Sequence, residues 1–229
     1  MSENKNLKSI AEIYKSDKIE HGYIEIYESY FEKIRDEKLK IFEIGIADGK
    51  SLLTWADYFK NSTIIGIDIH KINPIEKKLN KNNIEIHQGS QSDKYFIEEL
   101  ISKYKEFDII IDDGSHQSEH IIASFETLAK HVRDGGLYIV EDVHACYWKG
   151  FRGDSDSSNA LSYFLGLAHS LNTQATRHER CSKNLSPDEL VTPPALIRKI
   201  ELLPSMIICH MGVPLPMIEW KAGMKSVII

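Results

Sequence analysis

Five short runs rich in β-branched residues recur through the middle of the chain, and they constrain its fold more than any other feature. They are Lys40–Ile46 (KIFEIGI), Thr63–Ile69 (TIIGIDI), Ile84–Gln88 (IEIHQ), Asp108–Asp112 (DIIID) and Gly136–Glu141 (GLYIVE). Each is close to continuously apolar, the pattern of a strand covered on both faces. Longer segments of helical period lie between them, at Lys50–Lys60, Asp93–Tyr104 and Gln117–His131, with short helices allowed in the polar stretch that begins at Asn73-Pro74. Strands alternating with helices build βαβ units and a mostly parallel sheet. At 229 residues the chain is expected to make one domain.

The flanks fit the same plan. Ile24–Asp36 carries aromatic and aliphatic residues at helical spacing, so an N-terminal helix is expected to pack on the sheet, with Tyr27, Tyr30 and Phe31 as core residues. After the fifth strand, residues 147–159 are rich in glycine and small polar residues and read as a loop of the kind that covers active sites. Beyond it, Ala160–Leu171 looks helical, and Ser186-Pro-Asp-Glu189 has capping-box spacing with proline at the first helical position. Met206–Cys209 and Met217–Trp220, separated by Gly212-Val-Pro214, are expected to form an antiparallel edge pair. The expected subdivision is an N-terminal segment 1–38, a cofactor-binding core 39–145, a substrate loop and helix 146–185, and C-terminal strands 186–229.

Charge and cysteine usage exclude several classes. A net charge of −6 is the wrong sign for a surface that coats nucleic acid. Cys146, Cys181 and Cys209 are far apart and form no C-x-x-C pair, which predicts free thiols in a reducing compartment. The N-terminus has no apolar signal region and no later run has the length of a membrane span, so a cytoplasmic protein is expected.

The first strand runs into Glu43-Ile-Gly45-Ile-Ala-Asp-Gly49, a glycine-containing turn where open α/β sheets bind ligands. Neither G-x-G-x-x-G nor a P-loop is present, so a pyrophosphate cradle is poorly supported. The form E-x-G-x-x-x-G suits S-adenosylmethionine: glycine admits the methionine part and an acid can meet its ammonium. Asp68 ends the second strand, where a carboxylate accepts ribose hydroxyls, although NAD would ask for the same acid. Ser90 and Gln91 after the third strand, and Asp112 at the end of the fourth, complete the expected cofactor contacts.

The fourth and fifth strands end in Asp112-Asp113 and Glu141-Asp142. Carboxylates gathered this closely repel one another without a cation, and hard oxygen ligands describe a Mg²⁺ site better than a zinc site. Capping of the following helices is the alternative for any single acid. His116, three residues beyond Asp113, can reach a substrate hydroxyl as general base. His116-Gln-Ser-Glu-His120 also spells H-x-x-E-H, an inverted zinc-peptidase motif that requires both histidines on one helix face. His120, His21, His87 and His178 read as structural or exposed, and His144 stays open because it lies near Asp142.

Taken together, Glu43-Ile-Gly45, Gly66-Ile-Asp68, Gln88-Gly-Ser-Gln-Ser-Asp93, Ile111-Asp-Asp-Gly-Ser-His116, residues 135–142 (GGLYIVED) and Tyr147-Trp-Lys-Gly150 resemble the Mg²⁺-dependent macrolide-sugar O-methyltransferases of the mycinamicin and macrocin type. The likeness runs from about Asp17 to Phe151. It implies a class I methyltransferase fold, a Rossmann-like α/β sheet of seven strands with an antiparallel C-terminal edge. It also implies Asp113, Glu141 and Asp142 as metal ligands, His116 as the base, and S-adenosylmethionine and Mg²⁺ as cofactors. The segment Asp17–Tyr23 is implied to lie near the cofactor and acceptor pockets. The mycinamicin-type enzyme carries a large additional N-terminal domain, whereas about three dozen residues precede the first strand here. The reaction so implied methylates a sugar hydroxyl that Mg²⁺ acidifies and His116 deprotonates. A natural-product glycoside, a nucleotide sugar and a polysaccharide sugar are all open as acceptors, and Arg177 and Arg180 form either a phosphate grip or a solvated helix face. No nucleic-acid or membrane partner is expected, and a homo-oligomer is left open. A zinc peptidase and a catalytically silent cofactor- or sugar-binding module are the competing readings.

Overall fold

The computed structural model describes residues 5–70, 81–151, 159–175 and 195–213. The described strands form one seven-stranded sheet in the order β3-β2-β1-β4-β5-β7-β6. β1 (Lys40–Ile44), β2 (Thr63–Asp68), β3 (Ile84–Gln88), β4 (Phe107–Asp112) and β5 (Val132–Val140) run parallel. β7 (Met206–Met211) is antiparallel to β5, and β6 (Ile197–Leu203) is antiparallel to β7. Because β1 has β2 on one side and β4 on the other, the winding reverses at β1, which opens a crevice at the carboxyl ends of these strands.

The apolar runs do not alternate because both faces are covered. Phe42, Ile44, Ile65, Ile67, Ile110 and Tyr138 pack on one side, against α4 (Lys94–Tyr104), α5 (Ser118–Leu128) and α6 (Ala160–Ala175). Ile41, Ile64, Ile109, Ile111 and Ile139 pack on the other, against α1 (Leu7–Tyr14), α2 (Tyr23–Phe31) and α3 (Lys50–Tyr58). Burying both parities of a strand is what makes it read as continuous.

Several boundaries differ from expectation. The N-terminal helix stops at Phe31 and tightens into a 3-10 turn at Glu32–Ile34. Tyr27 and Phe31 are buried as expected, while Tyr30 is half-buried and donates to Glu201 Oε1 at 2.8 Å. A further helix, α1, precedes it: Asn6 caps its amino end, accepting from Ser9 N, and Leu7, Ile10 and Ala11 form its buried stripe. Residues 143–147 form a 3-10 turn that leads into the expected loop, and 149–151 form a second within it.

The edge pairing is a correction. The partner of β7 is the upstream β6, joined through Pro204-Ser205, with Leu203 opposite Met206. The segments 71–80, 176–180, 186–189 and 217–220, which carried expectations about short helices, an arginine cluster, a capping box and an edge strand, lie outside the described residues. Among the described residues no helix is long and apolar enough to cross a membrane.

Candidate active site

Parallel register aligns Ile44 of β1 with Ile67 of β2 and with Asp112 of β4, and Asp112 with Val140 of β5. The residues just past these strand ends therefore share one crevice. A cleft of about 320 Å³ opens there, lined by Gly45, Asp68, Gly89, Ser90, Gln91 and His120 among others. Gly45 has φ +81°, and a Cβ on it would lie 2.0 Å from the carbonyl oxygen of Asp113. Only glycine lets the ends of β1 and β4 come this close. Gly49, with φ +78°, is the N-cap of α3 and does not line the cleft.

The cleft wall is tied together by its own polar groups. Asp68 Oδ2 accepts from the backbone of Ile46 and Ala47, at 3.1 and 3.0 Å, so this carboxylate holds the glycine turn while it lines the cleft. Gln91 donates from Nε2 to Asp112 Oδ1 at 2.9 Å and accepts from Ser115 N at 2.8 Å. Ser90 Oγ lies 3.0 Å from Ser92 Oγ. Asp112, expected to touch the cofactor, does not line the cleft. It shares Ile110's face by strand parity and is buried, accepting from Gln91, Ser124 and Tyr138. Burial pushes its carboxyl up to about 6, against the hydrogen bonds from Ser124 and Gln91.

Asp113, one residue later, turns to the opposite face and enters a buried ionic cluster. Its centre is Lys18, whose Nζ is 2.8 Å from Asp113 Oδ2, 2.8 Å from both Glu141 oxygens and 3.4 Å from Glu43 Oε1. Glu43 Oε2 accepts from Ser51 Oγ at 2.9 Å and Trp55 Nε1 at 3.2 Å, while Oε1 has no hydrogen-bond partner among the described residues. Glu141 also accepts from Tyr27 OH. Burial pushes Glu43 up to about 7 in spite of the pull of Lys18. Burial, and then the charge of Asp113, push Glu141 well above the usual carboxylate range. Burial by itself would lower Lys18, but Glu141, Asp113 and Glu43 outweigh it and keep the ammonium charged.

Toward solvent from this cluster, Asp113, His116 and Asp142 each offer a ligand atom, all within 4.8 Å of one another. His116 Nε2 is 3.8 Å from Asp142 Oδ2. Asp142 Oδ1 accepts from Tyr23 OH at 2.6 Å and lies 3.7 Å from His21 Nδ1 and 4.0 Å from His144 Nδ1. Both His116 (φ 57°) and Asp142 (φ 51°) are left-handed, a conformation that costs a side-chain-bearing residue roughly 1–2 kcal/mol. Such backbone persists where its surroundings over-determine it. At Asp142 they do: Ser205, also left-handed, accepts from Tyr23 OH at 2.9 Å and is hydrogen-bonded to His144.

Residues 42–143 match the family described as "Methyltransferase domain". The demethylmacrocin O-methyltransferase of Streptomyces fradiae is 39% identical over 158 residues, 66% of this chain and 39% of that protein. The mycinamicin VI 2''-O-methyltransferase of Micromonospora griseorubida is 35% identical over 166 residues, 69% of this chain and 40% of that protein. A crystal structure of the MycE methyltransferase from the mycinamycin biosynthetic pathway, in complex with Mg and SAH, superposes with a TM-score of 0.79 at 28% identity, covering 94% of this chain and 57% of that one. The fold is that of a class I methyltransferase. The chain spans about two fifths of the length of these two curated relatives.

Within this methyltransferase fold the structure sorts the expected site residues. It brings Asp113, His116 and Asp142 together, and places Gly45, Asp68, Ser90 and Gln91 on the cleft. It does not bring Glu141 into the Asp113–His116–Asp142 set, because both its oxygens are held by Lys18 from the buried side. Glu43, expected at the cofactor's ammonium, faces the Lys18 ammonium instead. The H-x-x-E-H reading fails on geometry: His116 precedes α5, which Gln117 caps, so His116 and His120 do not share a helix face. His120 instead pairs with Ser115 Oγ at 2.8 Å and lines the cleft. Lys18, Tyr23, His21 and Ser205 were not foreseen. The only sequence signal for the first three was the likeness around Asp17–Tyr23, and Ser205 had none.

The donor set fits a divalent ion. Glu43, Asp113, Glu141 and Asp142 bring four carboxylates against one ammonium, and two of them face outward beside an imidazole. Next to that opening stands an aromatic wall. Phe151 is 6.2 Å from the His116 ring and 5.8 Å from Trp148, and Trp148 is half exposed.

Proposed function

We propose that this protein is an O-methyltransferase that uses S-adenosylmethionine and a divalent cation, Mg²⁺, to methylate a hydroxyl of a sugar or glycoside. The observation that carries the reading is the Asp113–His116–Asp142 cluster standing beside a cleft lined by the glycine turn and Asp68. The names of the curated relatives support it, as do the Mg and SAH in the MycE structure and the mycinamycin VI in a second MycE complex.

Asp113 and Asp142 hold the ion, and Glu141 supports them from within. Gly45, Asp68, Ser90 and Gln91 bound the cofactor's side, and Asp112 holds Gln91 from behind it. When bound, the cofactor supplies an electrophilic methyl group and the ion Lewis acidity toward the acceptor. An alcohol is a poor nucleophile at neutral pH. His116, with Nε2 facing Asp142, takes the acceptor's proton. Tyr23 holds Asp142 in its orientation. The wall of Trp148 and Phe151 offers apolar faces to the C–H groups of a sugar ring. The chain acts as one domain in the cytoplasm, in keeping with Cys146 and Cys209 as buried free thiols. No nucleic acid takes part.

Calorimetry with S-adenosylmethionine, with and without Mg²⁺, followed by a screen of glycosyl acceptors for methyl transfer, tests this reading. Binding of the cofactor and chelator-sensitive turnover are expected; no affinity for S-adenosylmethionine would refute it. Trp148→Ala is expected to raise the acceptor's KM roughly two- to tenfold, the equivalent of about 0.5–1.5 kcal/mol of ring contact, with kcat little changed. Steady-state kinetics on the acceptor found by the screen would show it, and an unchanged KM would remove the wall from the acceptor site.

A further inference from the structure

The reaction as described does not use Lys18. It lies in a 3-10 turn (Asp17–Ile19) with its side chain 1% exposed, and burying an ammonium costs several kcal/mol unless its partners are well placed. Here a carboxylate within β1 and two that follow the neighbouring strands β4 and β5 converge on a single Nζ, at 3.4 Å from Glu43 and 2.8 Å from Asp113 and Glu141. Asp113 is the shared member: Oδ2 contacts Lys18, and the same carboxylate belongs to the outward set with His116 and Asp142. Building on the methyltransferase reading above, we propose that Lys18 is a positioning residue for the divalent-cation centre. Its ammonium fixes Asp113 and Glu141 from the buried side, so that the carboxylates meet the ion already oriented.

Two effects of that ammonium on metal affinity have opposite signs. A fixed positive charge repels a cation, so by Coulomb's law alone its removal would tighten binding. A group that orients ligands raises affinity, and losing such support typically costs 10–100-fold. The hydrogen-bonding distances to both carboxylates, from a lysine whose side chain is itself buried, favour the second effect.

The test uses Mn²⁺ as probe, with its dissociation constant measured by electron paramagnetic resonance on the full chain. Lys18→Met and Lys18→Gln are expected to weaken Mn²⁺ binding by about 10- to 100-fold. Equal or tighter binding in a folded variant overturns the proposal. Because either variant can fail to fold, the wild-type protein provides a second arm by NMR of its lysine 15Nζ groups. One ammonium resonance, protected from exchange and assigned to Lys18, is expected to broaden away with substoichiometric Mn²⁺. If it persists unbroadened while Mn²⁺ is bound, the lysine does not sit behind the metal and the proposal falls. If the wild-type protein binds no Mn²⁺ at all, the metal reading itself is overturned, a result distinct from failure of the Lys18 role.

Discussion

Replacing His116 with alanine is expected to lower turnover by about 10² to 10⁴-fold, the range usual for a lost general base, while leaving affinity for S-adenosylmethionine nearly intact. The selectivity follows from placement. His116 is not among the cleft-lining residues, and its Nε2 faces Asp142. Alanine at φ 57° introduces a second variable, since histidine and asparagine tolerate left-handed backbone better than alanine does. His116→Asn separates the two effects: it keeps the backbone preference and removes the base. Both variants should lose turnover alike, measured as release of the demethylated cofactor at saturating acceptor, with cofactor affinity measured by calorimetry. Retained turnover in His116→Asn would assign the alanine effect to backbone strain and remove His116 as base.

Lys18→Met should cost about 3–5 kcal/mol of folding stability at neutral pH, because it leaves buried carboxylates without their counter-charge. The penalty reflects the broken set more than any net gain from having built it. Urea denaturation in metal-free buffer measures it, as a lower midpoint at unchanged slope. The pH dependence carries a definite sign. Glu43 is raised to about 7 by burial, against Lys18, so between its unfolded value near 4.5 and about 7 the native state binds more protons than the unfolded state. Stability through Glu43 is therefore greatest at the acid end of that window and falls as pH rises. Removing the ammonium raises the folded value further and extends the decline to higher pH. A Lys18→Met protein as stable as wild type at pH 8 would mean that the cluster is not buried as described.

The expected strands β1, β2, β4 and β5 were legible because each buries side chains on both faces, which leaves a continuous apolar run in the sequence, whereas β3 alternates, with Ile84 and Ile86 packed on one face and no residue fully buried. β6 was not. Among the described residues it is an edge strand with β7 as its one neighbour, reading Ile-Arg-Lys-Ile-Glu-Leu-Leu, with Arg198, Lys199 and Leu202 exposed. A strand that buries one residue fully leaves little periodic signal. α1 was overlooked for a related reason: its eight residues lie within a polar stretch and bury only Leu7, Ile10 and Ala11.

By itself, the order of residues determined that acids and glycines would follow successive strands, because a strand's period and its stop signals are local properties. It thereby placed Gly45, Asp68, Asp113 and Asp142 at one end of one sheet. Tertiary structure alone decided which carboxylate points where. Asp112 and Asp113 differ by one step of the pleat, which sends the first to Gln91 and Ser124 and the second to Lys18 and His116. Nor could any local rule supply Lys18, which lies 95 positions from Asp113 and 123 from Glu141. Its effect is electrostatic, set by distance through the fold and by burial, and neither quantity is written in sequence separation.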